Sequence, residues 1–247
     1  MWSRKELKDR AKSILREIYW CAFGVSIVIA LAGGGSSGGG SAYHHNDSNV
    51  YNHFDDWRLA LILLTISIGI VVLIFLRIFI GYNLEVGGRR YFIQSAQRKN
   101  NKKCFSFAFK EGNYIGIVKT MFVTKVFIFL WTLLLIIPGI IKSYAYRMVP
   151  YILADNPNIG VMDAIKLSNE MTRGHKFEIF VLDLSFIGWY LLGALALGVG
   201  VLFVMPYENA TNAELYLVLR NNALTDNLCS SEDLLLQQQN TDEFNEW

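Results

Sequence analysis

Apolar positions in this chain gather into long unbroken blocks, at 19–32, 57–81, 114–137, 140–154 and 177–205. A bilayer core ~30 Å thick is crossed by about 20 helical residues. The runs 57–81 and 114–137 each match one span, and Trp57 and Tyr82 sit where interfacial aromatics would flank the first of them. Arg77 is close enough to the end of that span to snorkel to the headgroups. The run 19–32 is short and borrows the last turn of the segment before it. The block 177–205 is longer than one untilted span needs. Its small-residue cluster at 193–200 either turns the chain between two helices or lines one tilted helix with small-xxx-small faces.

Two polar segments carry helical periodicity. In residues 1–18, Ser3 and Glu6 have capping-box spacing, and Leu7, Ala11, Ile14 and Ile18 form one apolar stripe amid Arg and Lys. That pattern predicts an amphipathic helix lying on the anionic inner leaflet. In 157–173, Asn156 reads as an N-cap with Pro157 at the first helical position. Val161, Ala164, Ile165, Ser168 and Met171 make its stripe, Gly174 stops it, and Lys176 follows. This predicts a second interfacial helix, marked by Ser168, Gly174 and Lys176. Between the blocks 114–137 and 140–154, Pro138 and Gly139 predict a helix break.

Charge then orients the chain. Segments 1–18, 82–112 and 156–176 are rich in Lys and Arg, whereas 33–56 has none in its Gly/Ser/His run. By the positive-inside rule the first three face the cytoplasm and the last lies outside. That parity requires 140–154 to cross back, giving about six spans with both ends inside; five spans with the tail outside is the competing count. The expected fold class is all-α: a polytopic helical membrane protein with two cytoplasmic amphipathic helices. Its parts are the helix 1–18, a membrane domain 19–220, and an acidic, disordered tail 221–247. The Ala30-Leu31-Ala32 triplet resembles a signal-peptidase site, but an uncleaved first helix is the simpler reading of a chain already embedded further on.

Composition agrees with the class: 53% of the residues are hydrophobic and only 18% charged, where soluble domains average about 25% charged. The basic residues border apolar spans, so they argue for lipid contact and against nucleic acid. Cys21, Cys104 and Cys229 are too widely spaced for a metal or redox motif. The Gly/Ser run matches GxSxG and GxGxxG by composition alone, since no strand precedes it and no helix follows as those motifs require. His44, His45 and His53 near Asp47, Asp55 and Asp56 lack the fixed support a metal site needs. Ser168 and His175 have no nucleophile–base–orienter arrangement, and no HExxH, Walker or zinc signature is present. We therefore expect no enzyme activity, no cofactor, no metal site and no catalytic residue. The candidate functional residues are the intramembrane charges Asp183, Lys125 and Arg147, because charge in lipid is costly unless paired. Tyr144, Tyr146, Tyr151 and Tyr190 read as interfacial anchors.

The stretches IIPGIIKSYAYRMVPYILADNP and AIKLSNEMTRGHKFEIF resemble the bacterial integral-membrane family catalogued as domain-of-unknown-function family 975. WSRKELKDRAKSILR, GYNLEVGGRRYF and LDLSFIGWYLLGALALGVGVLFVMPY extend the likeness to about Arg220. The pattern Ala164/Ser168/Gly174/Phe177 is more distantly similar to the membrane domain of some glycerophosphodiester phosphodiesterases, which implies a six-helix module without catalytic residues. The resemblance implies a multi-pass protein of the bacterial cell membrane, and the charge map expects its N-terminus to be cytoplasmic. Two functions remain open at this point. One is a non-catalytic module that binds membrane lipids, a membrane-protein partner or a second copy of itself. The other is a small transporter or channel using Asp183 and its neighbours.

Overall fold

Ser3 starts the first helix as its spacing predicts. Its hydroxyl accepts the Glu6 N–H at 3.2 Å, while the Glu6 carboxylate turns to Arg10 at 2.6 Å, so the capping box closes on one side only. The computed structural model describes residues 2–33, 56–195 and 200–236. The Gly/Ser/His run with its three histidines, and the last residues of the tail, lie outside these. The elements are α1 (Arg4–Leu31), α2 (Asp56–Leu76), α3 (Tyr82–Ala96), α4 (Cys104–Phe109), α5 (Tyr114–Leu134), α6 (Ile136–Ala145), α7 (Val149–Asp155), α8 (Val161–Met171), α9 (Lys176–Leu195) and α10 (Gly200–Thr225). A π-helical turn, Arg77–Gly81, joins α2 to α3, and no strand occurs among the described residues. Four helical stretches are long and apolar enough to cross a membrane: Arg4–Leu31, Leu61–Ala96, Tyr114–Leu134 and Lys176–Leu195.

α10 is the axis of the packing, touched by α1, α3, α8 and α9. Ala213, Leu215 and Tyr216 are fully enclosed there, and so are its polar residues Thr211, Asn212 and Glu214. A helix that is polar on its buried side and surrounded by protein escapes hydropathy-based recognition. Outside this core the apolar surface is large. Every described side chain of α2 is exposed, and the tip of the α5–α6 hairpin presents Leu133, Leu134, Ile136 and Ile137, each at least 70% exposed. Contiguous apolar surface of this extent marks contact with lipid or protein.

Several sequence expectations change at this level. The stripe of α1 packs on α10, with Leu7, Ala11 and Leu15 buried, so this apolar face meets protein and not the leaflet. Ile18 is non-helical (φ −121°, ψ 16°) and kinks α1, and it is partly buried against the core; Leu15, and not Ile14, is the buried residue of that turn. Within the basic segment 82–112, the helix of the preceding span continues to Ala96, and the basic turn follows it. The helical part is α3, whose Glu85 and Arg89 are buried, because Gly87 and Gly88 let Phe105 and Ile29 come against the helix. Arg77 does not snorkel: it donates to the Gly33 carbonyl at 2.7 Å and pairs with Glu85 at 3.3 Å.

The break attributed to Pro138 and Gly139 falls at Leu135, which is extended (φ −156°, ψ 137°). Pro138 instead lies in the first turn of α6, where an N–H has no helical partner to lose. Gly139 serves the packing, since a Cβ there would stand 2.6 Å from the Thr132 Cα. Asn156 does not cap the next helix. It closes an Asx turn by accepting the Asn158 N–H at 3.0 Å, and α8 begins later, behind Gly160. α8 buries Ala164, Ile165, Leu167, Ser168 and Met171 against protein elements. α9 ends at Leu195 and α10 begins at Gly200, and the two pack closely at their glycines: a Cβ on Gly193 would lie 2.7 Å from the Gly200 carbonyl carbon. The tail does not loosen at residue 221. α10 continues to Thr225, Leu234 is fully buried, and Asn156 donates to the Asp233 carbonyl at 2.8 Å.

Candidate functional site

The site grows from the interrupted connection between α6 and α7. Ending one helix and starting another within three residues leaves backbone groups without helical partners. Ser168 of α8, fully buried, answers both sides of the gap. Its hydroxyl donates to the Ala145 carbonyl at 2.8 Å and accepts the Met148 N–H at 3.1 Å. Thr172 adds a second donor to Ala145 at 3.3 Å. Gly174, with φ +80° and open space around it, turns the chain from α8 into α9 in a conformation that side chains disfavour. Lys176 at the start of α9 reaches back to the Asn169 side-chain oxygen at 3.2 Å. These contacts fix the turn that carries Arg147.

Arg147 points into the space between α9 and α10. Its Nη2 donates to Asp183 Oδ1 at 2.8 Å and to Asn212 Oδ1 at 3.0 Å, and its Nη1 bonds the other Asp183 oxygen. Tyr144 donates to that same oxygen at 3.0 Å. The fork of a guanidinium matches both carboxylate oxygens, which makes this the strongest form of ion pair. Across the core, Glu85 lies between Arg77 at 3.3 Å and Arg89 at 3.9 Å. Arg89 donates to Asn209 at 2.7 Å, whose amide reaches Ser26 of α1 at 3.0 Å. Tyr190 donates to Glu208. Below them, Asp155 accepts from Tyr216 at 2.7 Å and Arg220 at 2.8 Å.

Between the Arg147 and Glu85 groups lies a cavity of about 240 Å³, bounded by α3, α5, α6, α7 and α10. Arg89, Lys125 and Arg147 bring positive charge to its wall, and Glu85 is the one carboxylate there; Thr124, Ser143, Tyr144, Tyr146 and Tyr151 bring hydroxyls. Met121 and Ile128 supply apolar wall. Lys125 sits on the exposed side of α5 and has no ion-pair partner among the described residues. The three charges singled out from the sequence are thus distributed unequally. Asp183 and Arg147 meet directly, and Lys125 lines the cavity that Arg147 also lines, without touching Asp183.

The match to known proteins covers this region. Residues 117–223 match the family described as protein of unknown function (DUF975). No curated protein and no solved structure matches the chain, and no such match supports the more distant phosphodiesterase likeness. The DUF975 segment takes in nearly all of α5, then α6 to α9, and most of α10. It therefore includes Lys125, Arg147, Asp183 and Asn212 but leaves Glu85 and Arg89 outside. The cavity is built from both parts of the chain.

Sequence reading missed Glu85, Arg89, Asn209 and Asn212. The first two were counted with the basic residues of a presumed loop. Their signal was the i,i+4 spacing of Glu85 and Arg89 around a Gly-Gly pair, which suits a packed helix. For Asn209 and Asn212 the signal was a pair of i,i+3 amides directly after the apolar run that ends at Met205.

Proposed function

We propose that the chain is a non-catalytic integral membrane module of six crossings that binds phospholipid, with its N-terminus and α8 on the cytoplasmic side of the cell membrane. The observation that carries the reading is the locked state of the intramembrane charges. Asp183 is held by both arms of Arg147 and by Tyr144, an arrangement suited to fixing helix register and not to shuttling a proton. Buried ionic groups of this kind specify one arrangement of helices. The exposed apolar surfaces of α2 and of the α5–α6 hairpin suit lipid on the outside, and the polar cavity beside Lys125 offers a place for a headgroup.

The test is a titration of the purified full-length chain with dansyl phospholipid, reading energy transfer from tryptophan. A saturable signal, displaced by unlabelled phospholipid, is the expected result. A linear, undisplaceable signal would remove the reading. The second reading, a small transporter, is favoured by one observation: the cavity lies against the interrupted α6–α7 helix, as substrate sites of transporters often do. It requires solute-linked or proton-linked flux in proteoliposomes that Asp183→Asn abolishes.

A further inference from the structure

We propose that the cavity between α3, α5, α6, α7 and α10 is a binding site for an anionic oxygen group, a phosphate ester in the first instance, with Lys125 as its entry charge. The argument begins with size. Small-molecule pockets generally measure ~300–1,000 Å³, so a cavity of about 240 Å³ takes a headgroup-sized fragment and not a whole lipid.

Charge selects the sign of the ligand. Glu85, the single lining carboxylate, already faces Arg77 and Arg89, and Asp183 is turned away into the Arg147 fork. A cation entering this space would meet Arg89, Lys125 and Arg147 with no carboxylate to spare. An anion would meet Lys125, whose ammonium has no carboxylate partner, and the outer face of a guanidinium that is already oriented. Tyr146 and Tyr151 add phenol groups to the same wall, which suits recognition of oxyanions by several donors at once.

Position supplies the route. Lys125 stands on the exposed side of α5, next to exposed Phe122 and Val126. A headgroup arriving from the membrane boundary would therefore keep its chains on apolar α5 surface while its charge entered beside Lys125. This deepens the lipid-module reading and rests on it for the source of the anion.

The experiment uses the full chain in detergent with phosphatidylglycerol or phosphatidylcholine added, and native mass spectrometry to count retained lipid. Wild type is expected to retain phosphatidylglycerol in preference. Lys125→Glu should lower that retention about tenfold or more, Lys125→Arg should keep it, and Lys119→Glu, a charge reversal on another exposed face of the same helix, should leave it unchanged. Because Lys125 is exposed, its variants keep the core intact, and the melting temperature confirms this. Inorganic phosphate at millimolar concentration separates the sources. Competition assigns the site to the free anion as well, whereas its absence with lipid still bound assigns it to a tethered headgroup; both support the site. Equal retention of the two lipids, or phosphatidylglycerol retention indifferent to Lys125→Glu, would overturn it. Lipid held equally by Lys125→Glu and wild type would leave the module reading standing without this site, and no lipid of either kind would sink both.

Discussion

Neutralising Asp183 isolates what the Arg147 lock contributes. Asn at this position keeps the shape of the side chain, but only its one oxygen can accept from Arg147 and Tyr144, and its NH2 then faces the other Arg147 donor, so the change removes the charge and one acceptor. Breaking a buried ion pair by deleting one partner typically costs ~3–5 kcal/mol, since the other charge is left uncompensated. Here the Arg147 and Asp183 side chains retain 13% and 21% of their exposure beside the cavity. Solvent screening reduces the cost, to about 2–3 kcal/mol. For a chain of this size that corresponds to a fall of about 5–10 °C in apparent Tm, measured at one scan rate in one detergent because such unfolding is commonly irreversible. Arg147→Gln should fall by a similar amount. The double variant, which leaves two neutral amides facing each other, should recover at least half of the loss. A shift of under about 1 °C for Asp183→Asn, or a double variant no better than the sum of the singles, would refute the lock.

Other outcomes follow from particular contacts. Gly139→Ala should destabilise the α5–α6 hairpin by about 1–3 kcal/mol through collision with Thr132, while Pro138→Ala should be near neutral; thermal melts of the two variants check this, and a larger loss for Pro138 would restore it as the breaker. Ser168→Ala leaves the Met148 N–H without its acceptor and should cost about 1–2 kcal/mol in the same melt, whereas an unchanged melt would mean that the α6–α7 gap needs no support from α8. Burial pushes the Cys104 thiol up to about 12. Its thiolate is therefore scarcer at pH 8 in the folded chain than in the unfolded one, and maleimide should modify Cys104 only after SDS is added; peptide mass spectrometry before and after SDS reads it, and prompt labelling of folded protein would contradict the burial.

The apolar blocks were legible because lipid imposes a length and a composition that leave a plain trace along the sequence. Asp183 and Arg147 were legible for the same reason: a charge inside such a block needs a partner. Their pairing with Asn212 and Tyr144 was not, since it depends on four segments converging. α10 was hardest to read, because a helix enclosed by protein can carry Glu208, Asn212, Glu214 and Arg220 without exposing them to lipid, so its hydropathy resembles that of a surface helix. The charge count over 82–112 took in Glu85 and Arg89, which pair with each other inside the core and say nothing about which side of a membrane they occupy. The Asn156-Pro157 and Pro138-Gly139 pairs show the limit of local punctuation: Leu135, and not Pro138, breaks the first helix, while Asn156 ends α7 and leaves the start of α8 to Gly160.

The central claim, a lipid-binding module, is tested most directly by counting phosphorus that stays with the purified chain through exhaustive detergent exchange. The account predicts about one phospholipid per chain, retained by wild type and by Lys119→Glu and depleted in Lys125→Glu. Protein free of phosphorus that nonetheless supports Asp183-dependent flux in liposomes would contradict it.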